Sequence, residues 1–89
     1  MSLTTQVLER DGDAVIALAG RIDRDAAPEL HRAYSAARTH ADLELDFTAV
    51  EYINSTGIAL IVGVLAHARA DGVRLRARGL TPHYRHIFE

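Results

Sequence analysis

The run Leu43-Glu-Leu-Asp-Phe-Thr-Ala-Val-Glu-Tyr-Ile-Asn-Ser-Thr-Gly-Ile-Ala-Leu-Ile-Val-Gly-Val-Leu65 changes its period part-way along. At its start Leu43, Leu45 and Phe47 alternate with Glu44, Asp46 and Thr48, the pattern of a strand with one dry face and one wet face. From Ile58 onward the apolar residues recur at helical spacing. Strand, short loop and helix in that order form part of an α/β unit, and the loop places Ser55 and Thr56 at the helix N-terminus. Backbone N–H groups there lack partners within the helix, and the macrodipole puts about half a positive charge at that end. A phosphate attached to a hydroxyl at this point is therefore stabilised, and the turn has the chemistry of a charge-operated switch.

The rest of the chain supplies the partners of this unit. Thr4 to Glu9 and Ala14 to Ala19 favour strands and flank Asp11-Gly12, a hairpin signal because glycine tolerates positive φ. The spacing of Leu30, Ala33, Tyr34 and Ala37 predicts a first helix over Glu29 to Arg38, with Asp25 able to cap it and Pro28 suited to its first turn. A second helix runs from near Ser55 to Asp71-Gly72, with Ile58, Ile61, Val62, Leu65 and Ala68 as its core stripe. Leu60 and Val64 fall off that stripe, one turn apart, which predicts either a docking flank or packing under a neighbouring helix. Val73, Leu75 and Ala77 alternate with Arg74, Arg76 and Arg78, so a last strand could pair its arginine row with the acidic row of Leu43–Thr48. A final helix opens with Thr81 as cap and Pro82 in its first position. The order ββαβαβα and the period-2 alternation predict a two-layer α/β domain over 1–89, a mixed four-stranded sheet with helices mainly on one face.

The bulk numbers exclude several functions. Acidic and basic residues are interspersed with a net charge of −2, which provides no electrostatic footprint for nucleic acid or an anionic membrane. Cysteine is absent, removing disulfides, thiolate metal sites and thiol catalysis, as expected of a cytoplasmic protein. Ile58 to Ala66, the most apolar segment, falls far short of the ~20 residues that span a bilayer. A soluble protein is therefore expected, and no secretory signal is read in Met-Ser-Leu.

With these residues in view, the chain resembles the STAS domain family, and within it the small stand-alone bacterial antagonists of anti-sigma factors. The likeness rests on Gly20-Arg-Ile-Asp23 before the first helix, on Leu43-Glu-Leu-Asp-Phe-Thr with Val50 after it, on Tyr52-Ile-Asn-Ser-Thr-Gly-Ile58, and on Gly79-Leu-Thr-Pro. It implies that Ser55 is the phosphoacceptor of a partner that is both anti-sigma factor and serine kinase, with a phosphatase resetting the switch. It further implies that Asp23 lies close by at the contact surface; Asn54, Thr56 and Gly57 around the serine and the apolar flank of Leu60 and Val64 complete the expected partner-binding surface. No cofactor, metal or catalytic residue is implied. Two features depart from the family pattern. Asn54 stands where an aspartate usually precedes the serine, replacing a charge with an amide that can donate to a phosphate. The sequence also stops at Glu89, where members usually carry further residues that complete the last helix. Some small STAS domains that look like this chain instead bind the ATPase of an ABC-type lipid transporter, which keeps an accessory subunit as the alternative.

Plainer readings stand beside these. Ser55 as an ordinary N-cap would contribute about 1 kcal/mol, Thr56 reads as a first-turn residue, and Asp23 alone reads as a loop residue. His83 and His86 share a helical face, but two imidazoles without a third ligand read as surface histidines. A hydrolase would need Ser55 activated by His31 or His67 with Asp23, yet Ile-Asn-Ser-Thr-Gly is no nucleophile elbow.

Overall fold

The computed structural model describes residues 2–88; Met1 and Glu89 lie outside them, and so does the expectation attached to Glu89. Strands β1 (Thr4–Arg10) and β2 (Asp13–Ile22) form the expected hairpin, and Asp11 and Gly12 both adopt positive φ, at 53° and 85°. That pair of conformations is the type I′ turn, whose twist matches that of the flanking strands. A 3-10 turn (Arg24–Ala26) leads into α1 (Ala27–Ala37), followed by β3 (Asp42–Ile53), α2 (Ser55–Ala70), β4 (Arg74–Arg78) and α3 (Pro82–Phe88). The sheet order is β1-β2-β3-β4, with the first pair antiparallel and the other two parallel. The two-layer mixed sheet expected from the alternation is thus the observed fold.

One sheet face is dry. Ala14, Ile16, Leu18 and Ile22 of β2 and Leu43, Leu45 and Phe47 of β3 form one core with Leu30, Ala33, Tyr34 and Ala37 of α1 and Ile61 and Ala68 of α2. Burial of each large aliphatic side chain contributes about 1.5–3 kcal/mol relative to exposure. The other face holds the charged rows, and they pair less regularly than sequence alternation predicts. Arg74 meets its register partner Asp42 at 2.8 Å, but Glu44 lies between Arg78 at 3.8 Å and Arg10 at 3.9 Å, while Arg76 reaches Asp13 at 3.9 Å. Arginine side chains are long enough to reach diagonal as well as direct neighbours.

Two expectations need correction. Asp25 does not cap the first helix: Asp23 caps the 3-10 turn by accepting the Asp25 amide at 3.0 Å, and Ala26 precedes α1 without a side-chain cap. Asp23 has extended backbone, φ −129°, which lets its carboxylate fold back on the amide two residues ahead. Val62, assigned to the core stripe of α2, is 50% exposed. Gly57, Ile61 and Ala68 are the buried positions, and Ile58 and Leu65 are only half-buried, so α2 is rotated from the orientation its apolar content suggests. The stop at Gly72 and the start at Thr81-Pro82 follow the sequence reading, with φ of 73° at Gly72 and Thr81 Oγ1 3.4 Å from the Tyr84 amide. No helix among the described residues is long and apolar enough to cross a membrane.

Candidate functional site at the end of the parallel strands

Strands β2 and β3 leave the sheet together. Ile22 pairs with Ile53, and the Asn54 amide donates to the Ile22 carbonyl at 3.2 Å. Asp23 continues one strand and Asn54-Ser55 the other, so the sequence-predicted residues Asp23, Asn54, Ser55 and Gly57 gather at the carboxyl ends of parallel strands. Open α/β sheets place their sites at this edge.

Asn54, and not Ser55, is the N-cap of α2. Its backbone is still extended (φ −92°, ψ −179°), and its side-chain oxygen accepts the Gly57 amide at 2.8 Å. Ser55 is the first helical residue. Its side chain and that of Thr56 are exposed, and neither hydroxyl has a hydrogen-bond partner among the described residues. The plain reading of Ser55 as a cap is therefore overturned: the neighbour does that work and leaves the serine oxygen turned to solvent. Gly57 is buried because α2 begins almost in contact with the end of β2.

Leu60 and Val64 lie further along α2, half-buried against the core, and with Ala27, Leu30, His31, Tyr34, Ala59 and Gly63 they line a groove of about 250 Å³ between α1 and α2. Of the two sequence alternatives for this pair, the packing one is observed, and the same two residues form a concave apolar wall. At the far end of the groove the Tyr34 hydroxyl donates to Asp71 at 2.8 Å, with Arg38 3.7 Å from the same carboxylate. Burial, followed by that bond, pushes the Tyr34 hydroxyl up to about 12, so it stays a donor and clasps the two helices together.

His31 and His67 both line this groove, whose walls do not include Ser55, and among the described residues no hydrogen bond joins either imidazole to the Ser55 hydroxyl. His83 makes an edge contact with the Tyr84 ring at 5.2 Å, and no three His, Cys, Asp or Glu side chains converge among the described residues. Sequence reasoning did not single out Arg21 and Tyr52. They are register partners on β2 and β3, and the guanidinium lies 4.5 Å from the ring centroid, bringing a cation to the strand ends beside the site. The available signal was their place within the stretches that carry the family resemblance, each shortly before a site residue.

A family model described as "Mlab, STAS domain" matches residues 5–89. The anti-sigma-B factor antagonist of Listeria monocytogenes is 32% identical over 92 aligned positions, which cover 100% of this chain and 81% of that protein. Among solved structures, an anti-sigma factor antagonist from Mycobacterium paratuberculosis is 29% identical with a TM-score of 0.73, over 97% of this chain and 77% of that one. The antagonist SpoIIAA in its unphosphorylated form is 21% identical with a TM-score of 0.75 over 96% and 81% of the two chains. Its phosphorylated form gives 0.73 at the same identity, over 96% and 80%. At that identity the likeness to SpoIIAA is one of fold.

Proposed function

The chain belongs to the STAS domain family, and from that premise we propose that it is a bacterial anti-sigma factor antagonist, a cytoplasmic binding module switched by phosphorylation of Ser55. Unphosphorylated, it binds an anti-sigma factor that is also its serine kinase. Phosphorylated, it lets go, and a phosphatase restores it. The role is recognition, and the chemistry of phosphate transfer belongs to the kinase.

The observation that carries this reading is the division of labour between Asn54 and Ser55. Because Asn54 caps α2, the Ser55 hydroxyl is exposed and unbonded, available to a kinase without unfolding the helix start. Phosphate there adds close to two negative charges. The free amides and macrodipole of α2 tolerate that charge, so the fold persists, whereas a neutral surface fitted to a partner becomes an anionic one. Asp23, Asn54 and Thr56 form the rest of this contact surface, with Leu60 and Val64 extending it along the groove; Gly57, expected among the contact residues, is buried against Ile22 and instead positions the helix start. The Asn54 amide nitrogen remains a donor while its oxygen is held by Gly57.

The test is intact-mass measurement after incubation with ATP and the anti-sigma factor captured from the native host. Wild type should gain one phosphate and Ser55→Ala none. No added mass in the wild type, or the same addition in Ser55→Ala, ends the assignment. Ser55→Asp should also weaken binding to the captured partner.

One observation favours a second reading, an accessory subunit docked on the ATPase of an ABC-type lipid transporter. The α2 flank remains apolar whatever the state of Ser55, with Val62 50% exposed beside Leu60 and Val64. Such a dock would be constitutive, and co-purification of a nucleotide-binding transport subunit, with affinity unchanged in Ser55→Asp, would establish it over the switch.

A further inference from the structure

The two edges of the sheet are built differently. β4 presents Arg74, Arg76 and Arg78 within five residues, a short and charged edge of the kind that resists pairing. β1 has seven residues, no proline, and no charge from Thr4 to Leu8, and its Val7 and Leu8 are 37% and 41% exposed. Such an edge is a template for another strand.

The hairpin fixes which backbone groups this edge offers. Arg10 and Asp13 close the two-residue turn and face each other as a hydrogen-bonded pair. Counting back in twos, Leu8, Gln6 and Thr4 also direct their amides and carbonyls to β2, so Glu9, Val7 and Thr5 direct theirs outward. An antiparallel second strand must match outward groups with outward groups. If the second strand is another β1, one register uses all three: Val7 opposite Val7, and Thr5 opposite Glu9 on either side.

We propose that β1 is a self-association edge, and that two copies of this chain join their sheets through antiparallel β1 strands centred on Val7. The backbone groups of this register are self-complementary. On the helix-bearing face the two Val7 side chains meet on the two-fold axis, and Glu9 of one copy comes opposite Thr5 of the other. Arg32 donates to the Thr5 hydroxyl at 3.1 Å but is already paired with Glu29 at 2.6 Å, and Glu9 is bonded to His40 at 2.8 Å, so this position supplies no new ion pair and the association rests on the backbone register and the Val7 contact. Glu29 accepts from the Thr5 hydroxyl at 2.6 Å, which leaves the outward backbone groups of Thr5, Val7 and Glu9 to anchor the contact. On the opposite face Leu8 packs beside Gln6, and Arg10 lies opposite Thr4, with no like charges facing each other. The association is isologous. Because the strands run antiparallel, the two Ser55 sites point to opposite ends of the joined sheet and both stay open.

The test uses the full chain and does not depend on the state of Ser55. Sedimentation equilibrium at high micromolar concentration should return twice the 9.7 kDa chain mass, and Val7→Lys, which sets like charges on the axis, should return the single mass. Val7→Cys should form a covalent dimer on mild oxidation, because hydrogen-bonded partners lie about 5.5 Å apart at Cα, within disulfide range. Thr4→Cys should not, since the two copies of residue 4 are roughly 20 Å apart at 3.3 Å per residue. A single-chain mass in wild type at all concentrations overturns the proposal, as does a dimer that survives Val7→Lys or equal cross-linking of the two cysteine variants. Should Val7→Lys fail to fold, the cysteine pair decides.

Discussion

Gly57 lies against the carbonyl of Ile22 so closely that a Cβ built on it would sit 1.9 Å from that oxygen. No L side chain fits such a gap, and the obstacle is backbone that cannot rotate aside. The contact sets how α2 meets the end of β2, and with it the placement of Ser55 relative to Asp23. Gly57→Ala should therefore displace the helix start and cost at least about 2 kcal/mol, at the upper part of the usual range for overpacking. Urea denaturation measures this, and a loss below 0.5 kcal/mol would show that the contact is looser in solution.

The roles of Asn54 and Ser55 separate by stability. Asn54→Ala removes the acceptor of the Gly57 amide and should cost about 1 kcal/mol, the usual value of an N-cap. Ser55→Ala removes a hydroxyl that bonds to none of the described residues and should change stability by less than about 0.5 kcal/mol, as exposed substitutions do. Asn54→Asp preserves the cap and should be at least as stable as wild type, because a carboxylate also suits the positive end of the helix. Thermal melts of the three variants check this ordering; the reverse order for Asn54→Ala and Ser55→Ala would restore serine as the cap.

This one-residue question marks the limit of what was legible in the sequence. Leu43, Leu45 and Phe47 announced their strand, Asp11-Gly12 its turn, and Asp71-Gly72 the end of α2, because each is a local pattern with a local cause. Which of Asn54 and Ser55 caps depends on how far β3 stays extended, and that is set by pairing with Ile22, distant in sequence. The exposure of Val62 has a similar origin, since the rotation of α2 is fixed where Gly57 meets Ile22. Arg21 and Tyr52 face each other only through a register that shifts twice along β2 and β3, at Ala17/Ala19 and at Gly20/Arg21. No periodicity reports such shifts.

His40 gives the protein a pH-dependent contact far from the site. Its Nε2 lies 2.8 Å from the Glu9 carboxylate and its Nδ1 3.2 Å from the Ala37 carbonyl, so the doubly protonated ring donates to both. The bond to Glu9, then that to Ala37, raises the imidazole above its ordinary 6.5. A group whose folded pKa is raised stabilises the fold fully below its unfolded pKa and loses that contribution as pH rises through the folded value. Stability should therefore fall on going from mildly acidic pH through neutrality. Glu9→Gln should lower the His40 titration midpoint, followed by NMR at Cε1–H, and flatten that part of the Tm profile. An unchanged midpoint would mean that the pair does not persist in solution.

Tyr84 ties α3 to the residue immediately before Asn54. Its hydroxyl accepts from the Ile53 amide and donates to the Ile53 carbonyl, each at 3.2 Å, pinning the end of β3 where the chain turns toward Ser55. Tyr84→Phe keeps the ring and deletes both bonds, so it should cost about 1–2 kcal/mol. The loss should be local as well as global, because α3 is short and those bonds join it directly to the site-bearing strand. Amide hydrogen exchange at Ile53 should accelerate more in Tyr84→Phe than exchange at Leu45 in the middle of the same strand. Equal acceleration at the two positions would mean that the variant merely lowers overall stability, and that α3 has no particular hold on the strand end that presents the serine.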